Sequence, residues 1–230
     1  MEMRTMGHPN ELVKYPRTPH LPSSPGSTSD DKHITAETLA HLSSGIDLVV
    51  TEKMDGGNYS MSRTSSFARS LDSGTHSWDT KAKALWANIR WDIPEGWRIS
   101  GESLYAQRSV AYENLEDIYL VFGIWDETNT LLDWDTMTEY ASLLGLKTVS
   151  TLYRGNDFKT ASEAWASQRD ESSSEGFVMR SAGRIAYDDF SGNFAKWVRA
   201  NHVTTDAGWR RRDDWAINGV KKPDLSLDGR

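Results

Sequence analysis

The sequence predicts an α+β fold, in which strands and helices follow one another along a chain of 230 residues. Two nearly continuous apolar runs, residues 46–50 and 118–126, contain strong β formers and predict buried strands. Other segments carry apolar residues at helical spacing or end at helix caps and glycines. They predict helices over residues 34–44 (capped near Thr35), 80–91, from the cap Asp135 to Gly145, and 158–168, with a strand over 148–153.

The composition excludes some classes of protein. Hydrophobic residues make up 37% of the chain, and no apolar run is long enough to span a membrane. Because the chain has no cysteine, it forms no disulfide and no thiolate metal site, which is compatible with a reducing cytoplasm. The formal net charge of -7 is unusual for a broad nucleic-acid-binding surface. Either any such contact is short and local, or nucleic acid is not the substrate.

The segment from Glu52 to Asn58 contains the first candidate site. Lys53 follows the apolar run 46–50 and precedes an Asp-Gly turn, and residues 59–63 alternate like the return strand of a hairpin. A lysine held at a strand end beside backbone N–H groups can present a nucleophilic amine to a phosphate. Since a free lysine has a pKa of about 10.4, such a site would have to lower it. The alternative is an ordinary hairpin turn with a solvated lysine.

Four later segments each put one charged or aromatic residue on a predicted strand. Taken singly, each has an ordinary explanation: an exposed strand-end carboxylate, a core aromatic or a surface charge. In chain order the four residues are Glu102 in a Gly-Glu pair, Phe122 in an apolar run, Glu175 in a Glu-Gly pair, and Lys196 on a strand over residues 194–199.

In this order, Lys-x-Asp-Gly and the four later segments resemble the motifs of ATP-dependent RNA ligases, members of the covalent nucleotidyltransferase superfamily. The resemblance runs from about residue 47 to 203, and Asn58 after the lysine motif is typical of RNA ligases. It implies an adenylation domain with antiparallel sheets around a nucleotide cleft and helices outside. It also implies ATP-dependent joining of RNA 5′-phosphate and 3′-hydroxyl ends, with Mg²⁺ or Mn²⁺, through a lysyl-AMP intermediate and an adenylylated RNA end.

The resemblance further implies residue roles. The implied catalytic residues are Lys53, Asp55, Glu175 and Lys196, of which Glu175 binds the metal directly or through water. The implied ATP-binding residues are Glu52, Lys53, Asn58, Arg69 (with Arg63 as the alternative), Glu102, Phe122 and Lys196. RNA contacts are expected from Asn58, Arg63, Arg199, Arg210 and Arg211. The sequence departs from the family on the last strand, where members usually carry two lysines one residue apart and this chain has only Lys196.

Three parts are expected: an extended N-terminal arm over residues 1–33, the ligase domain over 34–203, and a basic, aromatic tail over 204–230. The proline-rich arm is either a disordered leader or a docked extended segment, in which Arg17 and His20 could reach a phosphate. A tail of about 30 residues cannot build an OB-fold. That argues against a DNA nick ligase and a capping-type guanylyltransferase. A catalytically weak nucleotide- or RNA-binding module is the other alternative.

Overall fold

Two β-sheets form the centre of the protein. The computed structural model describes residues 12–71, 76–202 and 215–221. Its strands are β1 (Leu48–Lys53), β2 (Gly57–Ser62), β3 (Ser66–Ala68), β4 (Arg98–Ser103), β5 (Tyr119–Trp125), β6 (Thr130–Leu131), β7 (Lys147–Thr148), β8 (Thr151–Gly155), β9 (Gly176–Ser181), β10 (Ile185–Ala186) and β11 (Phe194–Val198). Its α-helices are α1 (Ala36–Leu42), α2 (Thr80–Ile89), α3 (Trp134–Leu143), α4 (Phe158–Glu163) and α5 (Phe190–Asn193). The predicted α+β fold is confirmed.

The strands divide into a four-stranded and a seven-stranded sheet. The four-stranded sheet has the order β11-β9-β1-β8, and all its pairs are antiparallel. The seven-stranded sheet has the order β10-β6-β5-β4-β2-β3, with β7 added in parallel beside β5. The remaining pairs of that sheet are antiparallel.

The hairpin predicted around the lysine motif is wrong. β1 pairs with β8 and β9, whereas β2 pairs with β3 and β4, so the two strands belong to different sheets. Met54, Asp55 and Gly56 therefore form a crossover between the sheets instead of a hairpin turn. The strand itself also extends further than the apolar run, since β1 includes Lys53. Lys53 consequently lies where the chain leaves one sheet for the other.

The strand predicted over residues 148–153 is also a crossover. Its start belongs to β7, paired with β5 in the seven-stranded sheet, and its end belongs to β8, paired with β1. Between them the backbone N–H of Glu52 donates to the carbonyl of Ser150 at 2.9 Å. Two crossovers thus connect the sheets close to one another, and they bound the same end of the space between the sheets.

Helix boundaries differ from those predicted for local reasons. The N-cap of α3 is Asp133, which accepts a hydrogen bond from Thr136 N at 2.9 Å, and not Asp135. α2 ends at Ile89 and tightens into a 3₁₀ turn, Arg90–Asp92, because Pro94 disfavours helical backbone at the residue before it. α4 ends at Glu163, where hydrogen bonds three residues apart replace the helical pattern. Thr35 caps α1 as predicted.

Each sheet has its own hydrophobic core. The core of the four-stranded sheet includes Leu48, Val50, Phe177 and Met179 and is covered by α1 and α4. The core of the seven-stranded sheet is covered by α2 and α3 and includes the buried Val121. On the other face of the four-stranded sheet, Val49 packs in the core of the seven-stranded sheet. Val178 on the same face packs against a third, smaller cluster that includes Tyr15, Trp125 and Phe190. The two sheets therefore face each other across a space that is open at one end.

Residues 12–33 of the expected arm are docked, and we call this segment the strap. Lys196 N donates to the carbonyl of Pro19 at 2.9 Å, and Leu21 N donates to the carbonyl of Lys196 at 2.8 Å, so the strap pairs with the free edge of β11. At its start, the ring of Tyr15 is buried against Phe122. No helix in the described ranges has the length and apolarity that a membrane span requires.

Candidate active site

Lys53 and Glu175 form an ion pair at the ends of adjacent strands. Lys53 is the last residue of β1 and pairs in register with Gly176, the first residue of β9. This register brings Lys53 Nζ to 2.7 Å from Glu175 Oε2. The carboxylate is almost fully buried, whereas 24% of the lysine side chain is exposed. The amine is therefore held by one strand end and stays accessible from the space between the sheets.

Asp55 is fixed by a loop that follows β4. Its Oδ2 accepts a hydrogen bond from Val110 N at 2.8 Å, and its own N–H donates to the hydroxyl of Tyr112 at 2.9 Å. The loop is held in turn by Asn218, whose Oδ1 accepts from Tyr112 N at 3.0 Å and whose Nδ2 donates to the carbonyl of Leu104 at 2.8 Å. The described part of the tail thus supports the loop that positions Asp55.

Glu102 faces the crossover from β4. Its Oε1 accepts a hydrogen bond from Gly56 N at 3.1 Å, and its strand position is opposite Asn58 on β2. A Cβ at Gly56 would lie 2.5 Å from the carbonyl of Ser103, so only glycine allows this approach. The first glycine of the Gly-Gly pair is therefore required for a steric reason.

Three carboxylates surround the lysine and set its charge state. Burial by itself lowers the pKa of Lys53, but the carboxylates of Glu175, Glu102 and Asp55 outweigh it, and the net pKa is raised. Burial raises the pKa of Glu102 to about 7, against the opposing effect of Lys53 and Arg108. Burial, with the nearby charge of Glu175, also raises the pKa of Asp55. The expected lowering of the lysine pKa is thus absent in the nucleotide-free protein.

A cavity of about 660 Å³ opens between the sheets at this ion pair. Its volume lies within the range of ligand and cofactor pockets. The sequence-predicted residues that line it are Glu52, Lys53, Asp55, Asn58, Arg69, Glu102, Phe122, Glu175 and Lys196. The tertiary structure thus brings together residues that are spread from one end of the resemblance to the other.

One end of the cavity is apolar and contains a buried guanidinium. Phe122, Val178 and Trp134 line this region with Arg180. Arg180 Nη2 donates to the carbonyls of Leu132 and Gly183, both at 3.1 Å, and burial lowers its pKa to about 10. Arg180 is a lining residue that was not predicted, because a charged residue inside a strand gives no local sign of facing a cavity.

Two residues predicted to bind the nucleotide, Glu52 and Asn58, differ in whether their side-chain oxygens have hydrogen-bond partners. Glu52 Oε2 accepts a hydrogen bond from Arg169 Nε at 2.7 Å, so its carboxylate is already paired. Asn58 Oδ1 is buried and has no hydrogen-bond partner among the described residues. A buried amide oxygen without a partner is costly, and a donor from a bound ligand would relieve it after a small side-chain movement.

The cations predicted to bind ATP or RNA do not all reach the cavity. Lys196 lines it, and burial lowers the lysine pKa, with the charge of Lys53 as the second cause. Arg199 points away, since its Nε donates to the carbonyl of Ser174 at 3.1 Å. Arg63 lies outside the cavity and stacks over Trp91. Arg210 and Arg211 fall outside the described residues.

The carboxylates fit a divalent cation that is held mainly by the phosphates of a bound substrate. In the part of the chain that the structure describes, no three acidic or histidine side chains come together as a metal site. Mg²⁺ commonly uses one or two carboxylates together with water and substrate phosphates. Glu175, whose Oε2 contacts only Lys53 among described side chains, supplies one such carboxylate.

The comparisons with known proteins agree with this arrangement. The RNA ligase family model matches residues 46–198. An archaeal ATP-dependent RNA ligase (form 1) superposes with a TM-score of 0.53 at 16% identity, covering 82% of this chain and 48% of that one. A Naegleria gruberi RNA ligase with PPi gives 0.51 at 15% identity, covering 86% and 61%. A putative ATP-dependent DNA ligase from Aquifex aeolicus gives 0.50 at 16% identity, covering 82% and 50%.

The archaeal and Aquifex aeolicus proteins are about twice as long as the aligned part, so this chain spans about half of each. At these identities the structures show a shared fold, that of the ligase nucleotidyltransferase domain. No curated protein matches the chain in sequence. The family model, in contrast, covers well over half of the chain and runs from the start of β1 to the end of β11. The chain belongs to the RNA ligase family.

Proposed function

We propose that this protein is an ATP-dependent RNA ligase that joins 5′-phosphate and 3′-hydroxyl RNA ends through lysyl-AMP. The observation that carries the proposal is the accessible amine of Lys53, paired with Glu175 at 2.7 Å in a cavity with an apolar end and a cationic mouth. An apolar end suits a purine base, and cations suit its phosphates.

In the first step, the neutral amine of Lys53 attacks the α-phosphorus of ATP. An N–P bond forms, the bond to the bridging oxygen breaks, and pyrophosphate leaves with that electron pair. Before the attack the ammonium of Lys53 loses one proton, for which Glu175 Oε2 at 2.7 Å is the nearest described acceptor while no cation is bound there. As the N–P bond forms, the attacking nitrogen releases a second proton to solvent. An oxygen of the RNA 5′-phosphate then attacks the phosphorus of AMP, the N–P bond breaks, and Lys53 leaves with that electron pair and takes up a proton. Finally a 3′-hydroxyl loses its proton and attacks the RNA 5′-phosphate, and AMP departs with the electron pair of the anhydride bond.

The raised pKa of Lys53 means that the amine is protonated until its surroundings change. A divalent cation bound at Glu175 with the ATP phosphates would reduce the negative charge around the lysine and lower its pKa. Asp55, fixed by Val110, keeps the crossover in place beneath the reacting groups. Mg²⁺ and Mn²⁺ are both candidates for the cation, with Glu175 as its ligand directly or through water.

The other cavity residues take roles in nucleotide and RNA binding. Glu102 binds the ribose hydroxyls, because a carboxylate accepts two hydrogen bonds. Phe122 stacks on the purine, and Lys196 and Arg69 bind phosphate. Asn58 contacts ATP or the RNA end through its unpartnered oxygen. The proposal also keeps the sequence-predicted binding roles of Glu52, Arg63, Arg199, Arg210 and Arg211. It keeps the cytoplasmic location as well.

The experiment is incubation of the full chain with ATP and Mg²⁺ or Mn²⁺, followed by intact-mass measurement. We expect the wild type to gain the mass of one AMP and Lys53→Ala to gain none. Lys147→Ala, which removes an exposed lysine outside the cavity, is the matched control and should gain the same mass as wild type. An absence of any adduct with ATP, GTP or NAD would overturn the proposal and favour a nucleotide- or RNA-binding module.

A further inference from the structure

The mouth of the cavity carries cations that come from the strap and not from the family motifs. Arg17 and Lys32 both line the cavity, although both side chains are otherwise exposed. Neither side chain forms a hydrogen bond or an ion pair with another described residue. Lysine and arginine without partners at a cavity mouth are free to bind an anion.

The strap holds Arg17 midway between two other cations of the cavity. Arg69 Nε donates to the carbonyl of Tyr15 at 3.2 Å, two residues before Arg17. Lys196 N donates to the carbonyl of Pro19 at 2.9 Å, two residues after it. Two residues of extended chain span about 7 Å, so the backbone of Arg17 lies within about 7 Å of both hydrogen bonds, and all three residues line the same cavity. The charge of Arg17 also acts on Arg69: burial, and after it the positive charge of Arg17, lowers the pKa of Arg69.

Among the described residues, the family motif on β11 contributes only one cation to the cavity. β11 presents Lys196 to the cavity, whereas the positions two residues away are the buried, apolar Phe194 and Val198. Arg199 is bonded elsewhere through Ser174. Asp31 also lines the mouth, but its Oδ2 accepts hydrogen bonds from the N–H and the hydroxyl of Thr28, both at 3.0 Å, which satisfies much of its charge locally.

We propose that Arg17 and Lys32 of the strap bind the β- and γ-phosphates of ATP and stabilise pyrophosphate as it leaves. This inference rests on the proposed function. Binding by these two residues would make the strap part of the nucleotide site. It also gives a physical reason why a single lysine on β11 is sufficient. Charge on the leaving group increases as its bond to the α-phosphorus breaks, so cations placed there favour the transition state. His20, in contrast, is buried and bonded to Ser24, and it does not reach the mouth.

The test is calorimetric binding of inorganic pyrophosphate and of AMP to the full chain, as wild type, Arg17→Ala, Lys32→Ala and Arg17→Lys. Each alanine variant should weaken pyrophosphate binding about ten- to a hundredfold, the range expected for one charge-assisted hydrogen bond. AMP binding should stay within about twofold, since the strap cations contact only the outer phosphates, and Arg17→Lys should recover part of the loss. Lys14→Ala is the matched control, because Lys14 lies on the same strap with its side chain outside the cavity.

The outcomes separate this inference from the proposed function. Unchanged pyrophosphate affinity in both alanine variants, equal losses for AMP and pyrophosphate, or no pyrophosphate binding by the wild type would each overturn the role of the strap. A wild type that binds pyrophosphate through Arg17 but never gains the mass of AMP would overturn the ligase mechanism instead. Thermal unfolding of each variant shows whether the strap substitutions leave the fold intact.

Discussion

The three carboxylates around Lys53 are the most informative feature at the scale of single residues. Asp55, Glu102 and Glu175 all approach one lysine, and burial raises the pKa of the first two. Like charges held this close are costly unless a cation neutralises them. The site is therefore arranged for a bound state with more positive charge than the free protein has, and its ionisation should be visible in the stability of the free protein.

Glu102 makes this testable. Its pKa is raised from 4.5 to about 7, so between these values the folded protein holds a proton that the unfolded chain has lost. The contribution of this carboxyl to the free energy of unfolding therefore falls as the pH rises from about 4.5 to 7. We expect Glu102→Gln to gain about 2 kcal/mol relative to wild type between pH 5 and pH 8. Urea unfolding at both pH values measures it.

Glu139→Gln is the control for this experiment, because it makes the same chemical change on the exposed side of α3. Its difference from wild type should be the same at pH 5 and pH 8. If Glu102→Gln behaves like Glu139→Gln, the carboxyl of Glu102 is already ionised at pH 5 in the folded protein and the described electrostatics of the site are wrong.

At the scale of elements, β9 connects the reactive pair to the strap. Gly176 pairs with Lys53 on one side and with Val198 of β11 on the other. Its φ is 153°, and a Cβ there would lie 2.1 Å from the carbonyl oxygen of Trp197. The glycine of the Glu-Gly pair is therefore required by the close approach of β11. This explains in steric terms a pattern that is only a motif in the sequence.

Gly176→Ala should separate β9 from β11 and move Glu175 away from Lys53. The clash with rigid backbone should cost at least about 2 kcal/mol of unfolding free energy and slow lysyl-AMP formation. Gly183→Ala is the matched control, since a Cβ at Gly183 meets nothing within 4 Å. It should change stability by less than about 0.5 kcal/mol. Equal stabilities for the two variants in urea would contradict the packing described here.

At the scale of the whole protein, the overall charge limits how the proposed RNA substrate could be bound. The net charge is -7, and the four cations at the mouth of the cavity come from three separate segments: Arg17 and Lys32 from the strap, Arg69 from the loop after β3, and Lys196 from β11. These residues form a small local cluster on an acidic protein. Under the proposed function, electrostatic attraction should therefore be confined to the RNA end that enters the cavity, which is the first of the two alternatives left open by the composition.

Salt dependence tests this. In the nucleotide-free protein these four cations are open to an RNA end, so with about four phosphates neutralised on a single strand the slope of log K against log salt should be about -3. Fluorescence titration of a 5′-phosphorylated oligoribonucleotide over a range of KCl concentrations gives the slope, and removal of the 5′-phosphate should make it shallower. A slope steeper than about -5 would mean that a wider basic surface takes part, for which the Arg210 to Arg212 triplet is the candidate.

Much of the fold and of the site could be predicted from the sequence. The strand-forming runs, the helix cap Thr35 and the family were correct, and the predicted nucleotide-binding residues all line one cavity. Local patterns suffice for these features because β-branched runs, caps and Gly-containing motifs have the same physical cause wherever they occur. The pairing of the strands was not predictable in this way. β1 and β2 look like a hairpin, but hydrogen bonds to β9 and β4 divide them between two sheets.

The sequence by itself determined which chemical groups are present: the lysine at the end of the first apolar run, the carboxylates of Glu102 and Glu175, and one lysine on the last strand. The tertiary structure decided the charge state of these groups and which other residues surround them. It raised the pKa of Lys53, turned Arg199 away, placed the hydroxyl of Tyr112 against the backbone of Asp55, and placed Arg180 at the cavity. These properties depend on distance and burial between segments far apart in the chain, which no local pattern records.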